Sequence, residues 1–212
     1  MPTIAVIDYD MGNLHSVCKG LEKVGGMPQV TDVAADIENA DAVLLPGVGS
    51  FDPAMEHLRS RQLEAPIRAA IDSGKPFLGI CLGLQILFEG SAEGEAAGLG
   101  IFPGRVERFQ VEPQLTIPHM GWNQLQLTQP QCSLWQDLPS DWMYFVHSYY
   151  VAPADSGLNA ATITHGSQTV TAAIAQDNVM AAQFHPEKSS TSGLKVLSNF
   201  VELVNRSVLT PA

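Results

Sequence analysis

Phe77-Leu78-Gly79-Ile80-Cys81-Leu82-Gly83-Leu84-Gln85 decides the fold. The stretch opens as an apolar run short enough for a buried strand. It passes into a second apolar run, Leu84-Gln85-Ile86-Leu87-Phe88-Glu89, that reads as helix. Between them a single cysteine has glycine two residues before it and two residues after it. That spacing is the nucleophile elbow, with sulfur in place of the usual serine hydroxyl. A sharp strand-to-helix turn pushes such a side chain out of the sheet, and the glycines remove the side chains that would clash there. A sulfur at a helix N-terminus meets unpaired N–H groups and the positive end of the helix dipole, which favour thiolate over thiol. The amide of Leu82 is directed at the same point and is a candidate oxyanion donor. Taken alone, the stretch is as compatible with a buried structural cysteine in a glycine-rich turn.

Upstream of the elbow, strands and helices alternate. Thr3 to Ile7 is a continuous apolar strand, as is Ala42-Val43-Leu44-Leu45, and Gln29 to Thr31 is a further candidate. Continuous apolarity indicates parallel strands covered on both faces. Asn13 is a candidate N-cap for a helix on which Leu14, Val17, Cys18, Leu21 and Val24 share a face, stopped by Gly25-Gly26. Cys18 belongs to that face and reads as core. Two more helices are expected at about Pro53 to Arg61 and Leu63 to Asp72. Pro46-Gly47-Val48-Gly49-Ser50-Phe51 is too glycine-rich for a regular element, and the wider dinucleotide fingerprint is missing. It reads as a loop whose amides line a site at the strand's C-terminal end, where doubly wound sheets bind ligands, or as a plain turn.

Downstream the character changes. Ser91 to Gly100 is a polar, glycine-rich loop, and from Arg105 to about Gln183 the runs are mostly strand-like. Val106 to Val111, Trp142 to Val151, Ala161 to Thr164, Val170 to Ala175 and Val179 to Phe184 are the examples, with one helical turn at Ser133 to Leu138. An amphipathic helix carrying Leu194, Leu197, Phe200, Val201 and Val204 closes the chain. The expected class is α/β: a doubly wound, mostly parallel central sheet with helices on both faces and an additional strand-rich antiparallel portion in the C-terminal half. Residues 1–212 are read as a single domain.

The composition narrows the function. Of 212 residues 45% are hydrophobic, and no apolar run approaches membrane-spanning length. The first residues read as a strand, so no signal peptide is expected. Three cysteines without framework spacing fit a reducing, cytoplasmic compartment. A formal net charge of −11 argues against a nucleic-acid partner and suits an enzyme acting on a small molecule.

Gln183-Phe184-His185-Pro186-Glu187-Lys188-Ser189 supplies what the elbow lacks. His185 and Glu187 are two apart and share one face of an extended chain. A carboxylate can then orient an imidazole, as in a nucleophile–base–acid constellation. His, Glu and Cys also bind zinc, but the paired-ligand spacing of zinc sites is absent. Two other stretches, Ile117 to Asn123 and Tyr144 to Tyr150, concentrate aromatic and polar groups that physics alone leaves open between packing and function.

With these motifs on the page, the chain resembles the class I, or triad, glutamine amidotransferases. More closely it is similar to the glutaminase subunits of imidazole glycerol phosphate synthase. Asp8-Tyr9 with Gly12-Asn13, the Pro46 to Phe51 loop, Gly79 to Gln85, Pro118-His119-Met120-Gly121-Trp122-Asn123 and Gln183 to Ser189 occur in the family's order and span nearly the whole chain. Two departures are Leu84 where methionine is common, and Asp10-Met11 in place of a glycine-led pair. The resemblance implies that Cys81 attacks the side-chain amide of glutamine, that His185 is base and then acid, and that Glu187 orients His185. It implies backbone oxyanion donors at Val48 and Leu82, and glutamine contacts at Gly49, Gln85, His147, Ser148 and Tyr149. It implies no cofactor and no metal. It also implies a heterodimer with a cyclase subunit, a (β/α)₈ barrel that uses the ammonia to form imidazole glycerol phosphate and aminoimidazole carboxamide ribotide in histidine biosynthesis. Asn13, His119, Trp122 and Lys188 match positions at or near that interface. The chain ends soon after its last helix, so the acceptor is expected on a separate chain. Two competing readings are a stand-alone cysteine hydrolase on the same scaffold, such as a peptidase or γ-glutamyl hydrolase, and a non-catalytic subunit that only positions a synthase.

Overall fold

A computed structural model of the chain describes residues 1–138 and 140–209. The elements run β1 Thr3–Ile7, α1 Leu14–Lys23, β2 Met27–Thr31, α2 Ala34–Asn39, β3 Ala42–Leu45, α3 Phe51–Ser60, α4 Glu64–Asp72, β4 Phe77–Ile80 and α5 Leu82–Gln85. They continue with β5 Gly104–Arg108, β6 His119–Gln124, β7 Gln126–Leu127, β8 Trp142–His147, β9 Tyr149–Pro153, β10 Asn159–His165, β11 Gln168–Gln176, β12 Val179–Ala182 and α6 Ser190–Leu209. Short 3₁₀ turns occupy Ser133–Trp135, Ser156–Leu158 and Pro186–Lys188.

The main sheet is ordered β2-β1-β3-β4-β12-β11-β10-β7. From β2 to β12 every pairing is parallel, and from β12 outward every pairing is antiparallel. This is the α/β architecture the sequence implies, with its strand-rich part grafted onto one edge. Two small antiparallel pairs, β5 with β9 and β6 with β8, complete the strand-rich half.

Period-2 alternation divides the central strands between two cores. Ile4 and Val6, Ala42 and Leu44, and Leu78 and Ile80 point into one, which α1 covers through Val17 and Leu21 and α6 through Val196, Leu197, Phe200 and Val204. Ala5 and Ile7, Val43 and Leu45, and Phe77 point into the other, under Ile37 of α2, Met55 and Leu58 of α3 and Ile67 of α4. Strands buried on both faces need apolar residues at every position, hence their unbroken runs.

Two local expectations differ. The six-residue helix α2 was not legible: Ile37 is its only buried residue, and its cap, Val33, makes no side-chain hydrogen bond. The run from Leu84 to Glu89 is not a helix of its own. Regular helix ends at Gln85 after a single turn. The loop at 98–102 then takes the carbonyls that a longer helix would use, with Leu99 N–H donating to Ile86 O at 2.7 Å and Ile101 N–H to Leu87 O at 2.8 Å. A segment buried on all sides needs such foreign partners more than it needs further turns.

Candidate active site

The elbow is built as its glycines require. Cys81 sits at φ 55° and ψ −108°, a region side chains adopt only under constraint, at a cost of order 1–3 kcal/mol. Its N–H donates to Ala182 O at 2.7 Å, fastening the elbow to the end of β12. A methyl group on Gly83 would lie 1.9 Å from Leu45 O, and one on Gly79 would lie 2.8 Å from Gly83 O. The close approach of α5 to β3 and β4 is therefore possible only for glycine. Because α5 is one turn long, its dipole is small. The electrostatics at the sulfur depend on side chains instead.

β12 pairs in parallel with β4, with Ala182 opposite Ile80. The residues following each strand therefore leave the sheet at the same end. This register brings His185 beside Cys81 across a gap of more than a hundred residues in sequence. His185 is 2% exposed. Its Nδ1 lies 2.8 Å from Glu187 Oε1, and the Glu187 side chain is almost fully buried. A carboxylate can only accept, so Nδ1 carries a proton and Nε2 is the nitrogen left to exchange one with the sulfur. Nε2 is buried and makes no hydrogen bond, and His185 and Cys81 line the same cavity. Burial depresses the His185 pKa, but the Cys81 sulfur and the Glu187 carboxylate outweigh it and push it up to about 9. The turn is braced by Ser189, whose hydroxyl donates to His185 O at 2.6 Å and accepts from Tyr144 N–H at 2.9 Å.

The cavity is about 280 Å³, the size for one small polar molecule. It gathers Val48 and Gly49, Cys81 and Leu82, Gln85, and His147, Ser148 and Tyr149 from the junction of β8 and β9. All five residues expected to touch glutamine are therefore at one cavity. Gln85 uses its Nε2 internally, donating to Tyr149 O at 3.1 Å and to Gln183 Oε1 at 3.0 Å. Only its Oε1 remains to offer a ligand. His147 is held neutral, its pKa lowered to about 3, chiefly by burial. It donates from Nδ1 to Tyr149 O at 2.8 Å.

The two amides expected to serve as oxyanion donors are not free. Val48 N–H donates to Met11 O at 2.8 Å, and Leu82 N–H donates to Gly47 O at 3.3 Å. The family resemblance implies that both amides serve an oxyanion; here backbone carbonyls occupy them. Gly47 O and Val48 N belong to one peptide plane, so rotation of that single plane would break both bonds together.

Among the residues expected at a partner surface, Trp122 is 49% exposed and Lys188 is exposed. Asn13 is half-buried and caps α1, its Oδ1 accepting from Ser16 N–H at 3.4 Å. His119 is 5% exposed and so presents almost no surface of its own in the free chain. Alternation along β6 sends it to the face opposite Trp122. There its Nδ1 lies 3.3 Å from His147 Nε2, and Asn123 Nδ2 donates to its Nε2 at 3.2 Å.

Three residues at the site are given no role by the sequence reading. Glu93, from the polar loop, lines the cavity and accepts from Phe51 N–H at 2.8 Å. Tyr9 is fully buried, donates to Pro46 O at 2.7 Å and so braces the Pro46–Gly47 loop. Gln183 is fully buried and donates from Nε2 to Cys81 Sγ at 3.6 Å. An acidic residue in a loop carries no local signal. A glutamine at the end of an all-apolar run, as at Gln183, is a signal that was available. Among the described residues no cluster of His, Cys, Asp and Glu is arranged to hold a metal ion, and no helix is long and apolar enough to cross a membrane.

Comparison with known proteins places this geometry. A family model described as Glutamine amidotransferase class-I matches residues 5–204. The chain is 69% identical over 210 residues to the imidazole glycerol phosphate synthase subunit HisH of Microcystis aeruginosa, covering 99% of both chains. It is 67% identical over 213 residues to the HisH subunit of Acaryochloris marina, covering 100% of both. Among solved structures it superposes on a glutamine amidotransferase with TM-score 0.73 at 20% identity, covering 95% of this chain and 98% of that one. It superposes on a chain of PurLQS from Thermotoga maritima with TM-score 0.72 at 18% identity, covering 96% and 99%. The structural likenesses show the shared fold.

Proposed function

The chain belongs to the class I glutamine amidotransferases and, within them, to the HisH subunits of imidazole glycerol phosphate synthase, and from that membership we propose how its own residues carry out glutamine hydrolysis. Sγ of Cys81 attacks the side-chain amide carbon of glutamine. His185 takes the thiol proton at Nε2 and passes it to the departing ammonia. Water then attacks the thioester and gives its proton to His185, and the carbon–sulfur bond breaks to release glutamate. Glu187 keeps the imidazole in the tautomer that presents Nε2 to the sulfur. The observation that carries this reading is the buried His185–Glu187 pair with its unbonded Nε2 on the cavity that holds Cys81.

Recognition of glutamine falls to the rest of the cavity. Glu93 is the acidic group in the lining, opposite in charge to the substrate's α-ammonium. Gly49, Ser148 and Tyr149 bring polar groups suited to the α-carboxylate, and Gln85 offers Oε1. His147 stays neutral and shapes the wall. The oxyanion hole forms when the Gly47–Val48 peptide rotates, freeing Leu82 N–H and turning Val48 N–H toward the substrate. A site with these amides occupied is slow until something turns that peptide.

Free ammonia in water is mostly protonated and no longer a nucleophile, so a partner must take it directly. The partner is the cyclase subunit, a (β/α)₈ barrel, in a cytoplasmic heterodimer. Asn13, Trp122 and Lys188 belong to the face that meets it. The test is Cys81→Ala assayed with the cyclase. Glutamine-dependent synthesis of imidazole glycerol phosphate is expected to disappear while ammonia-dependent synthesis persists. Loss of both, or of neither, would count against the assignment.

A further inference from the structure

We infer that Gln183 is a further catalytic residue of this glutaminase, donating a hydrogen bond that holds the Cys81 sulfur as an anion before attack and again as the thioester breaks. The inference rests on the reading of Cys81 as nucleophile.

The orientation of the Gln183 amide follows from its neighbours. Tyr149 O is a backbone carbonyl and can only accept. It accepts from Gln85 Nε2 at 3.1 Å, which identifies the nitrogen end of Gln85. The other N–H of that nitrogen needs an acceptor and finds Gln183 Oε1 at 3.0 Å. The nitrogen end of Gln183 must then face Cys81 Sγ, 3.6 Å away. Reversing the amide would set two NH₂ groups against each other. The donors are thus polarised in one direction, from a fixed carbonyl through two buried amides to the reacting sulfur.

Burial turns this geometry into chemistry. Gln183 is 0% exposed, so water cannot replace a lost partner for its N–H. A neutral thiol is a weak acceptor, whereas a thiolate is a strong one, and charge-assisted hydrogen bonds are the stronger class. The network is therefore best satisfied when the sulfur is ionised. On attack, the sulfur's electron pair becomes the new carbon–sulfur bond and the Gln183 contact weakens. On hydrolysis, water's oxygen bonds to the carbon, the carbon–sulfur pair returns to sulfur, the proton goes to His185, and the contact is restored. Gln183 itself sits firmly, its backbone N–H donating to Ala172 O at 2.8 Å.

The test is the pH dependence of Cys81 alkylation by iodoacetamide in the full chain, read by mass spectrometry, with Cys18 and Cys132 as internal references. Gln183→Met keeps side-chain volume and removes the donor. The Cys81 midpoint is expected to rise by about one pH unit, with about tenfold slower labelling at neutral pH, a span that one charge-assisted hydrogen bond covers. The reference cysteines should not move, and with the partner present the loss should fall on kcat for glutamine more than on KM. Overlaid Cys81 profiles in a folded variant would overturn the inference. Should Gln183→Met not fold, the native chain serves. The side-chain amide resonance of Gln183 must shift when Cys81 is titrated or alkylated, and a resonance indifferent to both overturns it equally. Labelling needs no glutamine turnover, so failure of the glutaminase reading would appear in the Cys81→Ala assay and not here.

Discussion

Each ionisable side chain at the site takes its state from its burial and its nearest partner. His185 keeps a proton because a carboxylate and a sulfur lie against it. His119 and His147 lose theirs because they are buried together. Their pKa values fall to about 4 and about 3, in both cases mainly through desolvation, with neighbouring histidines adding to the effect. Unfolding returns both to the ordinary histidine range near 6.5. Between that value and the folded ones the unfolded chain binds more protons, so stability rises with pH across the interval. Acidification from about pH 6.5 toward pH 4 is therefore expected to lower the urea midpoint steadily. Replacing His119 by Gln should flatten that dependence, and an unchanged slope would show that the pair is not its source. Cys81 and the His185–Glu187 pair are legible as residues because their chemistry is written in short spacings. His119 was not legible as an inward-facing residue, because one position along a strand reverses the face.

At the scale of elements, the elbow depends on how closely α5 can approach β3. Gly83 permits it, since any Cβ there would meet Leu45 O at 1.9 Å. Both neighbours are fully buried and neither can yield cheaply. Gly83→Ala is accordingly expected to destabilise the chain by about 3 kcal/mol, the upper end of ordinary overpacking, measured by chemical denaturation. It should also slow Cys81 labelling, because the added methyl pushes on the elbow itself. A variant as stable as the parent would mean that α5 relaxes freely. The central strands were legible because burial on both faces writes itself as continuous apolar sequence. The helix expected from Leu84 was not, because the same apolarity suits a turn-rich segment whose carbonyls are taken by a distant loop. The short α2 carries almost no periodicity, so its existence follows from packing against β1 and α4.

For the whole molecule, the resting site is chemically assembled but electrostatically incomplete, with Val48 and Leu82 amides held by backbone carbonyls. Glutamine turnover is expected to rise when the cyclase is added, as the peptide rotation that frees both amides becomes favourable. Trp122→Ala should weaken association by about 2 kcal/mol, as loss of a buried aromatic anchor does, measured by calorimetry. Lys188→Ala should act mainly on the salt dependence of binding. An unaltered affinity for both variants would move the interface elsewhere. The amino-acid sequence by itself determined the alternation of strands and helices, the cysteine in its turn and the histidine–carboxylate pair. Each of these is a local pattern, enforced by sterics or periodicity within a few residues. Only the tertiary structure decided that β12 lies beside β4, that Gln183 points its nitrogen at the sulfur, that Glu93 reaches the cavity and that the Val48 and Leu82 amides are occupied. Those outcomes depend on strand register and on competition among hydrogen-bond partners far apart in the chain, and neither is encoded in any single stretch.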